Sequence, residues 1–227
     1  MKAMILAAGV GERMRPLTDY IPKPLLCVAG TPLLEHHIRR LAAAGLRELV
    51  INVSYLAEQI VAHCDDGRAW GVSIVYSHEE APLETAGGII QALPLLGSAP
   101  FLVVNGDIWS DYPFEQLLAY AMRPDESAHL VMVENPPQHP VGDFALDEDH
   151  RIRALSAGAT GWTYSGIGLY AAEFFAAIPP GKMPLRPLLD AAIGLSRLSG
   201  ESYCGQWQDV GTPERLRKLD SAVSALS

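Results

Sequence analysis

Positive charge is in short supply in this chain. Its 17 lysines and arginines stand against 26 aspartates and glutamates, a formal net charge of −9 over 227 residues. Nucleic acid is held by net basic surfaces, so this balance argues against it as a partner. Cysteine is scarcer still: Cys27, Cys64 and Cys204 are odd in number and show no Cys-x-x-Cys pattern, which excludes a disulfide framework and leaves reduced thiols. No histidine spacing marks a zinc site, since His36 and His37 are adjacent and point to different sides of a helix. Long apolar runs are also missing, none approaching the roughly 20 residues of a bilayer span. With no signal-peptide layout at the start, a soluble cytoplasmic protein without a membrane partner is expected.

The first 25 positions run against the acidic trend. The apolar run Ala3 to Ala8 reads as a buried parallel strand that ends at Gly9 and turns at Gly11. Successive N–H groups in such a turn form an anion-binding concavity, and Arg13, Arg15 and Lys23 add positive charge close by. A triphosphate suits the loop. The dinucleotide fingerprint fails because Met14 stands where its third glycine belongs and Pro16, Pro22 and Pro24 break the helix it requires. The Walker Gly-Lys-Ser/Thr is absent.

Strand-like segments near 3–8, 48–53, 72–76, 100–104 and 128–133 alternate with helix-like ones near 32–44, 55–64, 86–96 and 113–122, the βαβ rhythm of a doubly wound sheet. After Asn135 the pattern changes to a short antiparallel hairpin, Phe144–Leu146 with Ile152–Leu155 across the turn Asp147–His150. A strand near 163–170, helices near 172–177 and 185–195, a last strand from Cys204 to Val210 and a helix opening at Thr212-Pro213 complete the chain. The reading is a single α/β domain over 1–227, Rossmann-like, with a nucleotide-binding part in about 1–110 and a second part in about 111–227.

Ligands of open α/β sheets lie beyond the carboxyl ends of the strands. Two of those ends carry a carboxylate straight after an apolar run: Asn105-Gly106-Asp107, where Gly106 leaves room for a ligand, and Trp207-Gln-Asp209. A hard cation such as Mg2+ is bound through one or two carboxylates plus phosphate oxygens and water, so Asp107 and Asp209 suffice as its protein ligands. Taken singly, each aspartate also suits a turn or a helix cap.

The string Leu6-Ala-Ala-Gly9-Val-Gly11-Glu-Arg13-Met-Arg15-Pro-Leu-Thr18, continued by Pro22-Lys23-Pro24, resembles the N-terminal signature of the sugar-1-phosphate nucleotidyltransferases, or NDP-sugar pyrophosphorylases. Asn105-Gly-Asp107 and Asp209-Val-Gly-Thr-Pro213 resemble two further motifs of that family, whose aspartates hold magnesium. The resemblance implies a mixed sheet of the nucleotide-diphospho-sugar transferase type with a small antiparallel sugar-binding subregion. It implies that Ala8, Gly9, Gly11, Glu12 and Arg13 hold the nucleotide phosphates, and that Lys23 steadies the reacting phosphoryl group, which makes Arg13 and Lys23 the catalytic pair.

Glu79-Glu80-Ala-Pro-Leu-Glu84-Thr85-Ala86-Gly87-Gly88 resembles the family's base-reading segment, with Glu84 in place of the usual glycine. Glu80, Thr85, Ala86 and Gly87 are the expected contacts there. A carboxylate accepts from uracil N3–H and equally from guanine donors, so UTP and GTP both remain open at this point. Sugar contacts are expected at Asn105, Gly142, Asp143, Tyr164 and Ser165. The family's Glu-Lys-Pro before the strand at 163–170 is absent, since no lysine lies between Lys23 and Lys182, which leaves Lys23, the metal, Arg151 or Arg153 to neutralise the sugar phosphate.

The implied reaction is Mg2+-dependent transfer of a nucleotidyl group to a sugar 1-phosphate. The compact length, Pro82-Leu-Glu-Thr-Ala-Gly-Gly88 and Trp207-x-Asp-Val-Gly-Thr-Pro-Glu-Arg215 most resemble the UTP-using branch of the family, which implies a role in cell-wall sugar recycling. A mannose-1-phosphate guanylyltransferase is the alternative within the class, and a non-catalytic sugar-nucleotide sensor the alternative outside it. No hexapeptide repeat occurs before Ser227, so a fused acyltransferase half is not expected.

Overall fold

The computed structural model describes residues 1–225; Leu226 and Ser227, the end of the expected 1–227 domain, lie outside the described residues. Along the chain the elements are β1 (Ala3–Leu6), β2 (Cys27–Val28), β3 (Thr31–Pro32), α1 (Leu33–Ala43), β4 (Glu48–Val53), α2 (Ala57–Cys64), β5 (Ser73–His78), α3 (Glu84–Leu96), β6 (Phe101–Asn105) and β7 (Ile108–Ser110). There follow α4 (Glu115–Ala119), β8 (Ala128–Val133), β9 (Ala145–Leu146), β10 (Ile152–Arg153), β11 (Thr163–Tyr170), α5 (Glu173–Ala176), α6 (Arg186–Gly194), β12 (Leu198–Tyr203), β13 (Trp207–Asp209) and α7 (Pro213–Ser224).

Seven strands form one mixed sheet in the order β12-β8-β11-β6-β1-β4-β5. β11 runs antiparallel to both neighbours and the other pairs are parallel. Alternation along β1 explains how the sheet is covered: Ala3 and Ile5 face one side, where they pack with Leu34, Ile38 and Leu41 of α1 and Ile60 of α2, and Met4 faces the other, with Ile89 of α3, Phe175 of α5 and Leu189 of α6. A third apolar cluster fastens Leu219 and Val223 of α7 onto Met14, Leu26 and Trp109.

The chain winds outward from β1 to β4 and β5, then returns to place β6 on the opposite side of β1. The carboxyl ends of β1 and β6 therefore flank the point where the winding reverses, the place such a sheet offers to ligands. The short hairpin is present as β9 and β10, with Leu146 opposite Ile152. Five strands differ from the sequence expectation. β2, β3, β7 and β12 were not expected, β12 closing one edge of the main sheet, while β13 pairs not with that sheet but with β7, antiparallel. All three cysteines are free, and burial pushes the Cys64 thiol up to about 12.

Candidate active site

A cleft of about 570 Å³ opens over the carboxyl ends of β1 and β6. Its floor is the glycine loop. Gly11 takes φ +70°, and a Cβ there would lie 3.0 Å from Thr18 Cγ2 and 3.2 Å from Lys23 Cβ, so the bend is reserved for glycine. Thr18 Oγ1 donates to the Gly11 carbonyl at 2.8 Å, folding the proline-rich segment back against the loop. Ala8, Gly9, Gly11, Glu12 and Arg13 all line the cleft, as does Lys23. Arg13 is exposed and, among the described residues, makes no ion pair, whereas Arg15 pairs with Asp19 at 3.3 Å away from the lining.

Lys23 is only 7% exposed, and its Nζ reaches Asp107 Oδ2 at 2.7 Å. Asp107 follows β6 directly. The glycine before it serves the scaffold and not the ligand: a Cβ at Gly106 would lie 2.5 Å from the Leu6 carbonyl, to which the Gly106 N–H donates at 2.9 Å. Asp209 arrives beside it on β13, opposite Ile108, and the Val210 N–H donates to the Asp107 carbonyl at 2.9 Å. The two carboxylates thus belong to adjoining strand ends and share a second cleft of about 240 Å³. The Arg215 guanidinium binds Asp209 Oδ1. Behind the pair, His37 of α1 is buried with Nε2 2.9 Å from the Ile108 carbonyl. Burial drives its pKa down to about 4, so the ring is neutral and donates to that carbonyl.

On the base-reading side the structure differs from the sequence expectation. Glu80 is exposed and does not line the cleft; Glu79 does, and is buried. Asn52 ties Glu79 to the glycine-loop strand: its Nδ2 donates to Glu79 Oε1 at 2.7 Å and its Oδ1 accepts from the Ala7 N–H at 2.7 Å. Glu79 Oε2 then accepts from the Leu83 N–H at 2.9 Å. An asparagine in the otherwise apolar run Leu49 to Val53 was the available signal for this network. Thr85 and Glu84 line the cleft, but Ala86 and Gly87 do not. Gly87 packs against the segment before α6: a Cβ would lie 2.3 Å from the Gly181 carbonyl, its N–H donates to Met183 O at 3.1 Å, and the Met183 N–H donates to Leu83 O at 2.9 Å. Thr85 is no helix cap, because α3 starts at Glu84 without a side-chain cap, and Glu84 itself takes φ +62°.

The expected sugar residues fall into two groups. Asn105 lines the main cleft, the second one and a third of about 450 Å³, where Asp143 and Tyr164 join it. Tyr164 and Ser165 line the second cleft, yet their polar groups are engaged elsewhere: the Tyr164 hydroxyl meets Tyr170 OH at 2.7 Å, and Ser165 Oγ accepts from the Ile167 N–H at 3.1 Å. Gly142 lies outside the clefts, in a turn at φ +78° against the Trp162 carbonyl. Arg151 and Arg153 also lie outside them, held by Asp125 at 3.6 Å and Asp147 at 2.8 Å. The cation that does line the third cleft is Arg186, placed over the Phe144 ring at 4.5 Å and paired with Asp190 at 2.8 Å.

The family model described as nucleotidyl transferase matches residues 2–225. The chain belongs to that family. As a nucleotidyl transferase it is 52% identical to the N-acetylmuramate α-1-phosphate uridylyltransferase of Neisseria meningitidis serogroup B, over 99% of both chains. It is 34% identical to the mannose-1-phosphate guanylyltransferase of Mycobacterium tuberculosis, over 93% of this chain and 61% of that one. In fold it matches a crystal structure of a putative glucose-1-phosphate thymidylyltransferase from Bacillus anthracis with a TM-score of 0.88, covering 100% of this chain and 96% of the other at 20% identity. No helix among the described residues of this nucleotidyl transferase is long and apolar enough to cross a membrane.

Proposed function

We propose that the protein transfers the uridylyl group of UTP to N-acetylmuramic acid α-1-phosphate, giving UDP-N-acetylmuramic acid and pyrophosphate in cytoplasmic peptidoglycan recycling. The observation that carries the choice of substrates is the 52% identity, end to end, with the meningococcal uridylyltransferase. The more distant guanylyltransferase, at 34%, favours GTP and mannose 1-phosphate less.

The carboxylate pair suits Mg2+. Asp107 and Asp209 present hard oxygens from adjoining strand ends, and among the described residues no group of three or more His, Cys, Asp and Glu side chains is arranged to hold a metal ion by itself. That is the donor set of an ion that completes its shell with phosphate and water oxygens. When bound, it supplies positive charge against the charge that develops on the phosphoryl oxygens.

The chain's own residues account for the rest of the chemistry. A phosphate monoester has its second pKa near about 6 and arrives largely dianionic, so no general base is needed at the nucleophile. One of its oxygens attacks the α-phosphorus in line, a new P–O bond forms, and the bond to the β-phosphate breaks to release pyrophosphate. Arg13 and Lys23 place fixed positive charge along the glycine loop where the triphosphate lies. The Asn52–Glu79 network holds the turn at Leu83 that faces the base. Asn105 lines all three clefts, which supports its reading as a contact between the nucleotide and sugar sides.

Pyrophosphate release over a panel of UTP, GTP and dTTP with several sugar 1-phosphates tests the proposal. The expected result is turnover of UTP with N-acetylmuramic acid α-1-phosphate. Preference for GTP with mannose 1-phosphate overturns the substrates, and no turnover with any pair leaves the sensor reading. Asp107→Ala and Asp209→Ala are each expected to abolish turnover; activity surviving in either removes that residue from the metal site.

A further inference from the structure

The two aspartates read as metal ligands each stand against a cation of their own. Lys23 Nζ lies 2.7 Å from Asp107 Oδ2. Arg215, with its side chain 17% exposed, binds Asp209 Oδ1. Neither Asp107 Oδ1 nor Asp209 Oδ2 has a hydrogen-bond partner among the described residues, so each carboxylate has one oxygen engaged by a cation and one left over. Arg215 occupies the first turn of α7, where the helix dipole disfavours a cation, and its contact with Asp209 offsets that cost. Position 211 accommodates the contact: a Cβ on Gly211 would lie 2.7 Å from Arg215 Nη2, so any side chain there displaces the guanidinium.

Two carboxylates and two cations sum to zero. A divalent ion entering alone leaves two uncompensated positive charges beside Lys23 and Arg215, at part-buried positions where repulsion is weakly screened. Entering with a triphosphate, it brings an excess of negative charge for Arg13 and Lys23 to meet. We propose that Arg215 is a positioning residue that holds Asp209 to one free oxygen and keeps the nucleotide-free site from retaining a divalent cation, so that the metal is captured together with the triphosphate. The inference rests on Asp209 being a metal ligand, as in the proposed function.

Titration of the full-length protein with Mn2+, free ion being read by its EPR signal and the ion held by UTP alone subtracted from a protein-free titration, tests it without any turnover. Wild type is expected to bind Mn2+ at least 10-fold more tightly with UTP present than without. Arg215→Gln is expected to bind Mn2+ without nucleotide at least 10-fold more tightly than wild type, and Arg215→Lys to return to the wild-type value. Should Arg215→Gln not fold, Gly211→Ala, which pushes the guanidinium off Asp209, is expected to give the same gain. A gain in affinity is not the result of simple structural damage, which loosens a site. Unchanged or weaker Mn2+ binding in these variants, or equal binding by wild type with and without UTP, overturns the inference. Since no sugar phosphate enters the assay, its failure is separate from failure of the transfer assay.

Discussion

Arg13 and Lys23 look alike in the sequence and differ in the structure. Lys23 is buried and fixed on Asp107, while Arg13 is exposed and, among the described residues, free of ion pairs. Arg13→Ala is therefore expected to lower kcat/KM by about 100-fold, the loss of one donor worth about 3 kcal/mol, with no change in melting temperature; steady-state kinetics beside a thermal melt check both halves. Glu84 carries the opposite signature. A left-handed non-glycine backbone costs about 1–2 kcal/mol, and Glu84 holds φ +62°. Glu84→Gly is expected to be more stable than Glu84→Ala by about 1 kcal/mol in chemical denaturation, and equal stabilities would overturn the backbone assignment. The placement of the loop, both aspartates and Thr85 at the clefts was legible because their neighbours are diagnostic. Glu80 was expected from the resemblance, which does not say which of two adjacent glutamates faces inward; burial falls on Ile74 and partly on Tyr76, then shifts phase to Ser77 and Glu79, which leaves Glu80 outside.

Elements with apolar, periodic sequence were read within a few residues; those held by other means were not. β12, Leu198-Ser-Gly-Glu-Ser-Tyr203, pairs along its length with β8, yet its buried positions include a serine and a glycine. Ser199 is buried against His129 Nδ1 at 2.7 Å, and a Cβ on Gly200 would lie 2.7 Å from Ile152 Cδ1, so packing there asks for small residues and hides the strand from an apolar count. α7 was legible from its cap alone. Thr212 Oγ1 accepts from the Arg215 N–H at 3.3 Å and from Arg215 Nε at 3.4 Å, which couples the start of the helix to the side chain on Asp209. Thr212→Ala is expected to cost about 1 kcal/mol by chemical denaturation, with Thr212→Ser recovering most of it; no loss would mean the cap is idle.

At the scale of the whole molecule, the reversal of winding beside β1 brings a glycine loop and Asp107 to one cleft, with Asp209 beside Asp107 in the second, and the βαβ rhythm was sufficient to point to the strand ends that form the first. What rhythm does not report is the support behind the cleft. His37 is neutral there, with a folded pKa of about 4 against an ordinary value of 6.5. Its sign follows from proton binding: between those values the unfolded chain binds the proton and the folded one does not. Its contribution is full above about pH 6.5 and is lost as pH falls toward 4, up to about 3 kcal/mol at about 1.4 kcal/mol per unit. Urea denaturation across that range is expected to show a steeper loss for wild type than for His37→Gln, and parallel curves would remove His37 as the cause. Elsewhere the support is pure backbone, in the pair of bonds that Met183 makes to Leu83 and Gly87. Peptide groups are indifferent to the letters they carry. The segment ahead of α6 is thus open to mutational drift in the side chains it turns toward the third cleft, provided that Gly87 stays bare. On the proposed function, with the acceptor in that cleft, acceptor specificity can diverge among descendants of such a chain while the glycine loop stays unaltered.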